Sequence, residues 1–592
     1  MAARGFAPEP SPWNKPIASV HIFNEDVFAE KNRFLQFFNH FHVTTREYAI
    51  RQELVIGVGE YWDQARVEET ARRLRDPLWS SVVVVVPVIS GTPGAVDMLV
   101  VTRDIWSLRL NTQYTIQQGT LTNLSFSFSE NNFLGTRSLV ALGMTMDQGS
   151  IRTGPIFLDK NLMGSKAELS ARFDVIFNRE DLLGIAECPV FSSSDEVGCH
   201  SAGNPANGRK LTYEGTQSSI SLSRPLFSLA SKWGVGTSFS HRYAIDRRFR
   251  GLGLFPVDCS TGECVLPRDD NGRVPSVLEA SQLTADATLL GVQYEMRRWA
   301  VDASAVRQWG KRWKHQLSFG HSVASQKPKP LDTFPGNALE REAFIRDILP
   351  RTELTSTPFV SYGFFQPTFK TLRNVDTFEL AEDARLGLTA EVSAAVGLEA
   401  LGSDANFQRA SWSASYGLPW GRDGLVRPSL GMSIRYQDID KDGDHEFIDN
   451  SFSTSVRVIT PTYKWARLVS LTTLATRWND AANGFFSIGS DSGLRGFLIN
   501  EFSGQRLLRS QLELRSIPVP FWVVRLGAVL FYDAGGATDT FKEFQLHQDA
   551  GLGFRMLIPQ TARELFRFDF AIPLDGNAAG KVRFIAGFES AF

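Results

Sequence analysis

From Trp106 to Phe592 the chain runs in segments of about ten residues whose apolar and polar side chains alternate, divided by turn residues. A period of two sends successive side chains to opposite faces of a strand. In Ala167–Phe177, the residues Ala167, Leu169, Ala171, Phe173, Val175 and Phe177 share one face, and Glu168, Ser170, Arg172 and Asp174 share the other. Leu508, Ser510, Leu512 and Leu514 oppose Arg509, Gln511, Glu513 and Arg515 in the same way. A soluble sandwich also alternates, so one strand decides nothing; repetition without a comparable helical interruption does. A sheet of that many strands rarely stays open. Closure removes its edges, pairs every backbone group and lets the apolar face meet lipid. A solenoid would show a fixed repeat period, and none is visible. The expected fold class is therefore mainly β, a large antiparallel transmembrane β-barrel. As many as twenty candidate strands can be drawn, from Ser107–Ile116 to Val582–Phe592, although some, such as Val301–Trp309, also read as loop hairpins or helix.

No run approaches the roughly 20 apolar residues of a membrane-spanning helix. Val82–Val86 is only a short strand before Pro87. Lys+Arg total 62 against 64 Asp+Glu, a net charge of −2, so no concentrated basic face argues for a nucleic-acid partner.

Helical patterns are read only ahead of the barrel. Residues 1–16 lack an apolar signal core and read as a linker. Ile17–Phe23 reads as a strand. Thr44 offers an N-cap with Glu47 three residues on, as in a capping box, and the helix behind it aligns Ile50 and Leu54. A second helix from near Trp62 puts Val67, Ala71 and Leu74 at core spacing, with Arg72, Arg73 and Arg75 near its end. Two strands follow, Ser81–Val88 and Val96–Thr102. The order β-α-α-β-β describes one small α+β domain over 17–104, with the barrel occupying 105–592.

Pairing the strands in order puts short connectors such as Asn131–Thr136 and Lys160–Lys166 on one rim. The long connectors, about 179–213, 244–282 and 326–350, then fall on the other, the usual asymmetry of outer-membrane barrels. Cys188/Cys199 and Cys259/Cys264 form two close pairs in these long loops. Local pairs in Gly/Ser/Pro/Asp-rich loops suit disulfides in an oxidising compartment better than a zinc site.

This organisation resembles the outer-membrane protein assembly and transport superfamily of the BamA and TamA type, across essentially the whole chain. Residues 17–104 look like a single POTRA domain, that family's periplasmic module, and Asn131-Asn-Phe-Leu-Gly-Thr136 resembles a connector near the start of its barrels. Leu494-Arg495-Gly496-Phe497 matches the family's lumen-loop motif, and Phe531-Tyr-Asp533-Ala-Gly535 matches its F-x-D-x-G strand motif. The resemblance implies that Arg495 pairs with Asp533 on the inner wall, that Gly496 lets the loop turn tightly and that Phe497 anchors it. Phe584, Phe588 and Phe592 resemble the carboxy-terminal signal by which barrels are recognised for insertion. The chain departs from the family in its single POTRA-like unit. The resemblance implies sixteen strands, with eighteen to twenty as the alternative. It also implies an outer-membrane location with the amino-terminal domain in the periplasm. The implied partners are membrane lipid, unfolded outer-membrane or secreted protein clients, and periplasmic accessory proteins. The implied role is insertion, assembly or translocation of proteins. A plugged secretion pore for a dedicated passenger and a surface structural or adhesion barrel remain the alternatives.

No catalytic residue is assigned: H-E-x-x-H, P-loop and G-x-S-x-G motifs are all absent. No cofactor is expected apart from one candidate. Asp438, Asp440, Asp442, Glu446 and Asp449 have the spacing of a calcium loop, with Asp449 where a longer Glu normally reaches the ion. Flanking helices are missing, and a solvated acidic loop is the favoured reading.

Overall fold

The computed structural model describes residues 5–27, 43–74, 79–117, 120–179, 190–191, 212–227, 231–251, 253–267, 289–375, 381–438, 446–522, 524–557, 565–576 and 579–588. The amino-terminal domain has a three-stranded sheet in the order β1 (Ile17–Glu25), β3 (Val96–Asp104), β2 (Ser80–Ile89), with β1 and β3 parallel. Helices α1 (Glu47–Gln52) and α2 (Gln64–Leu74) accompany it. Ile50, Trp62, Val67, Ala71 and Leu74 pack on Ile17, Val83, Val96, Met98 and Val100 as one apolar core.

The expected capping box at Thr44 does not form. Arg46 is the N-cap of α1 and its side chain makes no cap bond. Thr45 is instead held by Asp104, donating its N–H at 2.6 Å and its hydroxyl at 2.9 Å, which ties the start of α1 to the end of β3. At α2 the cap is Asp63, which accepts from the N–H of Ala65 and of Arg66.

Among the described residues, twenty antiparallel strands close the barrel. The first sector is β4 (Leu108–Gln117), β5 (Thr120–Glu130), β6 (Leu139–Met146), β7 (Ser150–Asp159), β8 (Glu168–Asn178), β9 (Tyr213–Arg224) and β10 (Trp233–Arg247). The long central strands are β11 (Gln293–Trp309), β12 (Lys314–Lys329), β13 (Glu353–Phe365, resuming at Thr368–Arg373), β14 (Ala381–Gly397), β15 (Phe407–Trp420), β16 (Gly424–Gln437), β17 (Glu446–Ile459) and β18 (Ala466–Trp478). The last sector is β19 (Arg506–Ser516, resuming at Val519–Phe521), β20 (Val524–Thr538), β21 (His547–Leu557), β22 (Phe566–Pro573) and β23 (Arg583–Phe588). Both parts of β13 pair with β14, and both parts of β19 pair with β20, so each is one interrupted strand. Pro367 and Pro518 stand at the interruptions, where a residue without an N–H breaks the ladder. The count of twenty corrects the sixteen implied by the resemblance. Val301–Trp309 is the second half of a regular strand rather than a hairpin or helix.

Apolar side chains such as Leu142, Phe173, Val235, Phe319, Val392, Leu430 and Leu530 stand exposed on the outer wall. A closed sheet with an apolar exterior is the solution a bilayer permits. Trp233, Trp309, Trp313, Trp420, Trp465 and Trp522 all fall at strand ends or turns on the rim that carries the amino-terminal domain. Such belts mark the level of lipid headgroups.

At the opposite rim, residues 253–267 and 289–292 pack against 330–352 to form a cap. Phe255, Val257 and Leu290 meet Ala343, Phe344 and Ile348, and Cys259–Cys264 is a disulfide within it. Cys188 and Cys199 lie outside the described residues. The cap holds a helix absent from the sequence reading, α3 (Ala338–Asp347), opened by a capping box in which Asn337 and Glu340 bond reciprocally. The Asn337-x-x-Glu340 spacing was its sequence signal.

Candidate functional site

The connector between β18 and β19 folds back into the lumen. Phe486–Ile488 pairs with Phe502–Gly504 as a short hairpin, and residues 489–501 form its tip. Gly489 permits the fold, because a Cβ there would lie 2.0 Å from the carbonyl oxygen of Leu498, at φ +150°. Leu494, Phe497, Ile488, Phe502 and Ala537 form the apolar root of this loop. Phe497 packs at 5.3 Å on Phe502 and 5.6 Å on His547, ring centroid to centroid.

At the tip, Arg495 is 1% exposed. Its Nε and Nη2 donate to the two oxygens of Asp533 at 2.7 and 2.8 Å, a bidentate fork. Nη1 donates to Glu513 at 2.6 Å and to Asp569 at 3.2 Å. The guanidinium carbon lies 3.5 Å from the centre of the Phe531 ring, in cation–π contact. The N–H of Gly496 donates to Asp549 at 3.0 Å. A Cβ on Gly496 would stand 2.7 Å from the Cβ of Asp549, so a larger residue would push the loop off the wall.

The wall is built by the period-two inward face of β19 to β22. Leu512, Leu514, Leu530, Leu552, Phe554 and Phe570 point to lipid, while Glu513, Phe531, Asp533, Asp549 and Asp569 point inward and are buried. Glycines make room for the long side chains. A Cβ on Gly551 would be 2.2 Å from the Phe531 ring, and one on Gly535 would be 2.4 Å from the carbonyl of Leu508. Arg515, Arg555 and Arg567 complete the charge balance. Arg515 donates to Glu513 at 2.7 Å, and Arg555 and Arg567 each donate to Asp569 at 2.6 Å. The four guanidiniums thus share the carboxylates of Glu513, Asp533 and Asp569, with Arg567 also donating to Asp491 at 2.6 Å, and one missing partner would strand a charge away from bulk water.

Arg495, Gly496, Phe531 and Asp533 meet at one point, with Phe497 behind them and Gly535 one inward position beyond Asp533. Glu513 and Arg515 read from sequence only as polar-face residues, and Asp549, Asp569, Arg555 and Arg567 carry no motif of their own. Their signal was a charge at inward positions between outward apolar residues, as in Arg567-Phe568-Asp569-Phe570. Phe584 lies away from this cluster, with its ring 5.2 Å from that of Phe570. The side chain of Phe588 and all of Phe592 lie outside the described residues. So do Asp440 and Asp442 of the candidate calcium loop. Asp449 is 3.7 Å from Arg435 and 3.8 Å from Arg351, and its carboxylate is engaged by guanidiniums. Among the described residues no group of acidic, His or Cys side chains is arranged to hold a metal.

A second feature joins the amino-terminal domain to the rim. The connectors Asn132-Phe-Leu-Gly-Thr-Arg137 and Asn161-Leu-Met-Gly-Ser-Lys166 fold alike, with positive φ at Leu134, Gly135 and Arg137 and at Met163, Gly164 and Lys166. In each, the asparagine Oδ1 accepts the N–H of the closing basic residue, at 2.9 Å from Arg137 and 2.8 Å from Lys166. In each, Nδ2 reaches the amino-terminal domain. Asn132 donates to Val43 O at 2.7 Å and Thr45 Oγ1 at 3.0 Å; Asn161 donates to Gln52 O at 3.2 Å and Glu53 Oε1 at 2.7 Å. Two turns of one design therefore grip the two ends of α1.

Lumen loop, inner wall and docked domain define a closed membrane barrel with a buried internal latch. No family model matches the chain, and no curated protein matches it. Among solved structures it is similar to BamA from Haemophilus ducreyi lacking POTRA domains 1–3, at 11% identity and TM-score 0.39, over 96% of this chain and 85% of that one. It is also similar to CdiB from Escherichia coli, at 10% identity and TM-score 0.41, over 98% and 77%. CdiB from Acinetobacter baumannii gives 10% identity and TM-score 0.37, over 97% and 73%. At such scores these likenesses carry no weight for function.

Proposed function

We propose that this chain is an outer-membrane barrel that assists the insertion, assembly or translocation of other proteins, with the amino-terminal domain in the periplasm receiving them. The observation that carries this reading is the buried latch, in which Arg495 joins three strands of the wall through Asp533, Glu513 and Asp569. A latch of this kind stiffens one side of the barrel. Movement is then left to the closure between β23 and β4, where the described register covers only Ile585↔Gln117 and Ala586↔Ile116. A closure beside a stiff wall suits a client strand added to the barrel by main-chain hydrogen bonding, a mode that tolerates many sequences. A client held first by an edge of the β1-β3-β2 sheet would start at the rim below that closure.

A plugged secretion pore is the second reading, and the cap favours it. Asn483 Nδ2 donates to Leu349 O at 2.8 Å, and the N–H of Gly251 donates to Ile499 O at 2.8 Å, so cap and lumen loop are tied into one stopper. Reconstitution in liposomes with an unfolded barrel client separates the two. Client folding accelerated by the full-length protein supports the first reading. Ion conductance that rises in Arg495→Ala, with no effect on client folding, supports the second.

A further inference from the structure

Where the amino-terminal domain meets the rim, α1, α2 and three connectors enclose a cavity of about 380 Å³. Its cations are gathered on two aromatic rings. Arg137 and Lys160 each stand 5.1 Å from the Trp79 ring. Lys166 and Arg73 stand 4.9 and 5.6 Å from the Phe227 ring, and Arg224, just outside the lining, stands 5.8 Å from the same ring. Two of the three carboxylates lining the cavity are already engaged. Glu53 takes Arg73 at 2.6 Å, and Asp159 accepts the hydroxyl of Ser138 and the N–H of Asn161. Burial first, and then the neighbouring Arg73 guanidinium, hold the Lys166 ammonium below its ordinary pKa.

We propose that this cavity binds the phosphate group of an anionic phospholipid headgroup drawn from the leaflet on the amino-terminal side of the membrane. Clustered guanidinium and ammonium groups are the donors that phosphate oxygens take best. The level is that of headgroups, since Trp233, whose ring carries Arg307 at 4.8 Å, begins the strand leaving the connector that bears Phe227. Because Gln52 and Arg73 come from the docked domain while Lys166 and Phe227 come from the barrel, a bound headgroup bridges the two. Lipid composition then sets how firmly the domain sits against the rim. This site rests on membrane placement alone and stands whether or not the barrel handles clients.

The test uses the full chain in nanodiscs of phosphatidylglycerol or of phosphatidylcholine. Retained lipid is counted by native mass spectrometry, and exchange of the α1 amides is followed in parallel. Phosphatidylglycerol should be retained preferentially and should slow α1 exchange. Lys166→Gln and Arg224→Gln should each weaken retention by roughly fivefold, while Lys166→Arg keeps it. Arg224 is exposed, so its variant tests the site even if Lys166→Gln disturbs folding. Equal retention of both lipids, or retention unchanged in both Gln variants, overturns the proposal. Free phosphate shares the chemistry, so the detergent-solubilised protein is also titrated with inorganic phosphate. Displacement of phosphatidylglycerol at millimolar phosphate would overturn the lipid assignment.

Discussion

Arg495→Ala is the perturbation whose consequences the geometry fixes most closely. The guanidinium makes four hydrogen bonds to three carboxylates and covers the Phe531 ring. Its loss is not shared equally. Glu513 keeps Arg515 at 2.7 Å, and Asp569 keeps both Arg555 and Arg567 at 2.6 Å. Asp533 is left without a second cation in ion-pair range among the described residues, while buried beside Asp549, its cross-strand partner. Removing one member of a buried ion pair costs about 3–5 kcal/mol. The population of barrels with a detached loop tip should therefore rise by a factor of about 10² to 5 × 10³. Hydrogen exchange of the amides in 489–501 reads this directly, because exchange through detachment speeds up by the same factor. The double variant Arg495→Ala/Asp533→Ala should recover a large part of the loss, since the stranded carboxylate is then gone. Unchanged exchange in the single variant, or strictly additive losses in the double, would refute the account of the latch.

Asn132→Ala and Asn161→Ala each remove two hydrogen bonds to the amino-terminal domain and one within the turn. Each should speed exchange of the α1 amides by an amount corresponding to about 1–3 kcal/mol, with barrel strands unaffected. Gly551→Val places side-chain atoms where the Phe531 ring lies; heat-modifiability on gels should show a barrel destabilised by about 1–3 kcal/mol. In the amino-terminal domain the hydrogen bond from Arg66 to Glu60 holds that carboxyl below its ordinary pKa; at Asp97, burial opposes the hydroxyls of Ser90 and Ser19 and the ring of His21, which together win and lower it. A depressed carboxylate stabilises the fold above its unfolded pKa and loses that contribution as pH falls through its folded value. Protection of the β3 amides should thus be flat above about pH 5 and decline below about pH 4.

The barrel was legible because its physics is local: alternation marks each strand, and closure follows from the number of strands and the absence of helices. Even so, the count drawn from alternation reached twenty where resemblance pointed to sixteen. Pro367 and Pro518 interrupt strands without ending them, a distinction only the pairing with β14 and β20 makes. Arg495 and Asp533 were legible as a pair through their motifs. Glu513, Asp549 and Asp569 were not, because inward charges on neighbouring strands converge only once the shear of the barrel is set. The paired turns at Asn132 and Asn161 were half legible. The first matches a connector text, whereas its repeat Asn-x-x-Gly-[Ser/Thr]-[Lys/Arg] at Asn161 gains meaning only once both turns meet α1. Thr44 shows the opposite error. A sound local capping pattern lost to a tertiary contact, the grip of Asp104 on Thr45.

On the proposed function, the barrel acts on clients through the β23–β4 closure. Gln117 and Ile585 are Cα partners across it, a spacing that a disulfide can bridge. Gln117→Cys/Ile585→Cys, oxidised in liposomes, should fail to accelerate folding of an unfolded barrel client and should regain that activity on reduction. A locked barrel that assists the client as well as the reduced one would contradict the account.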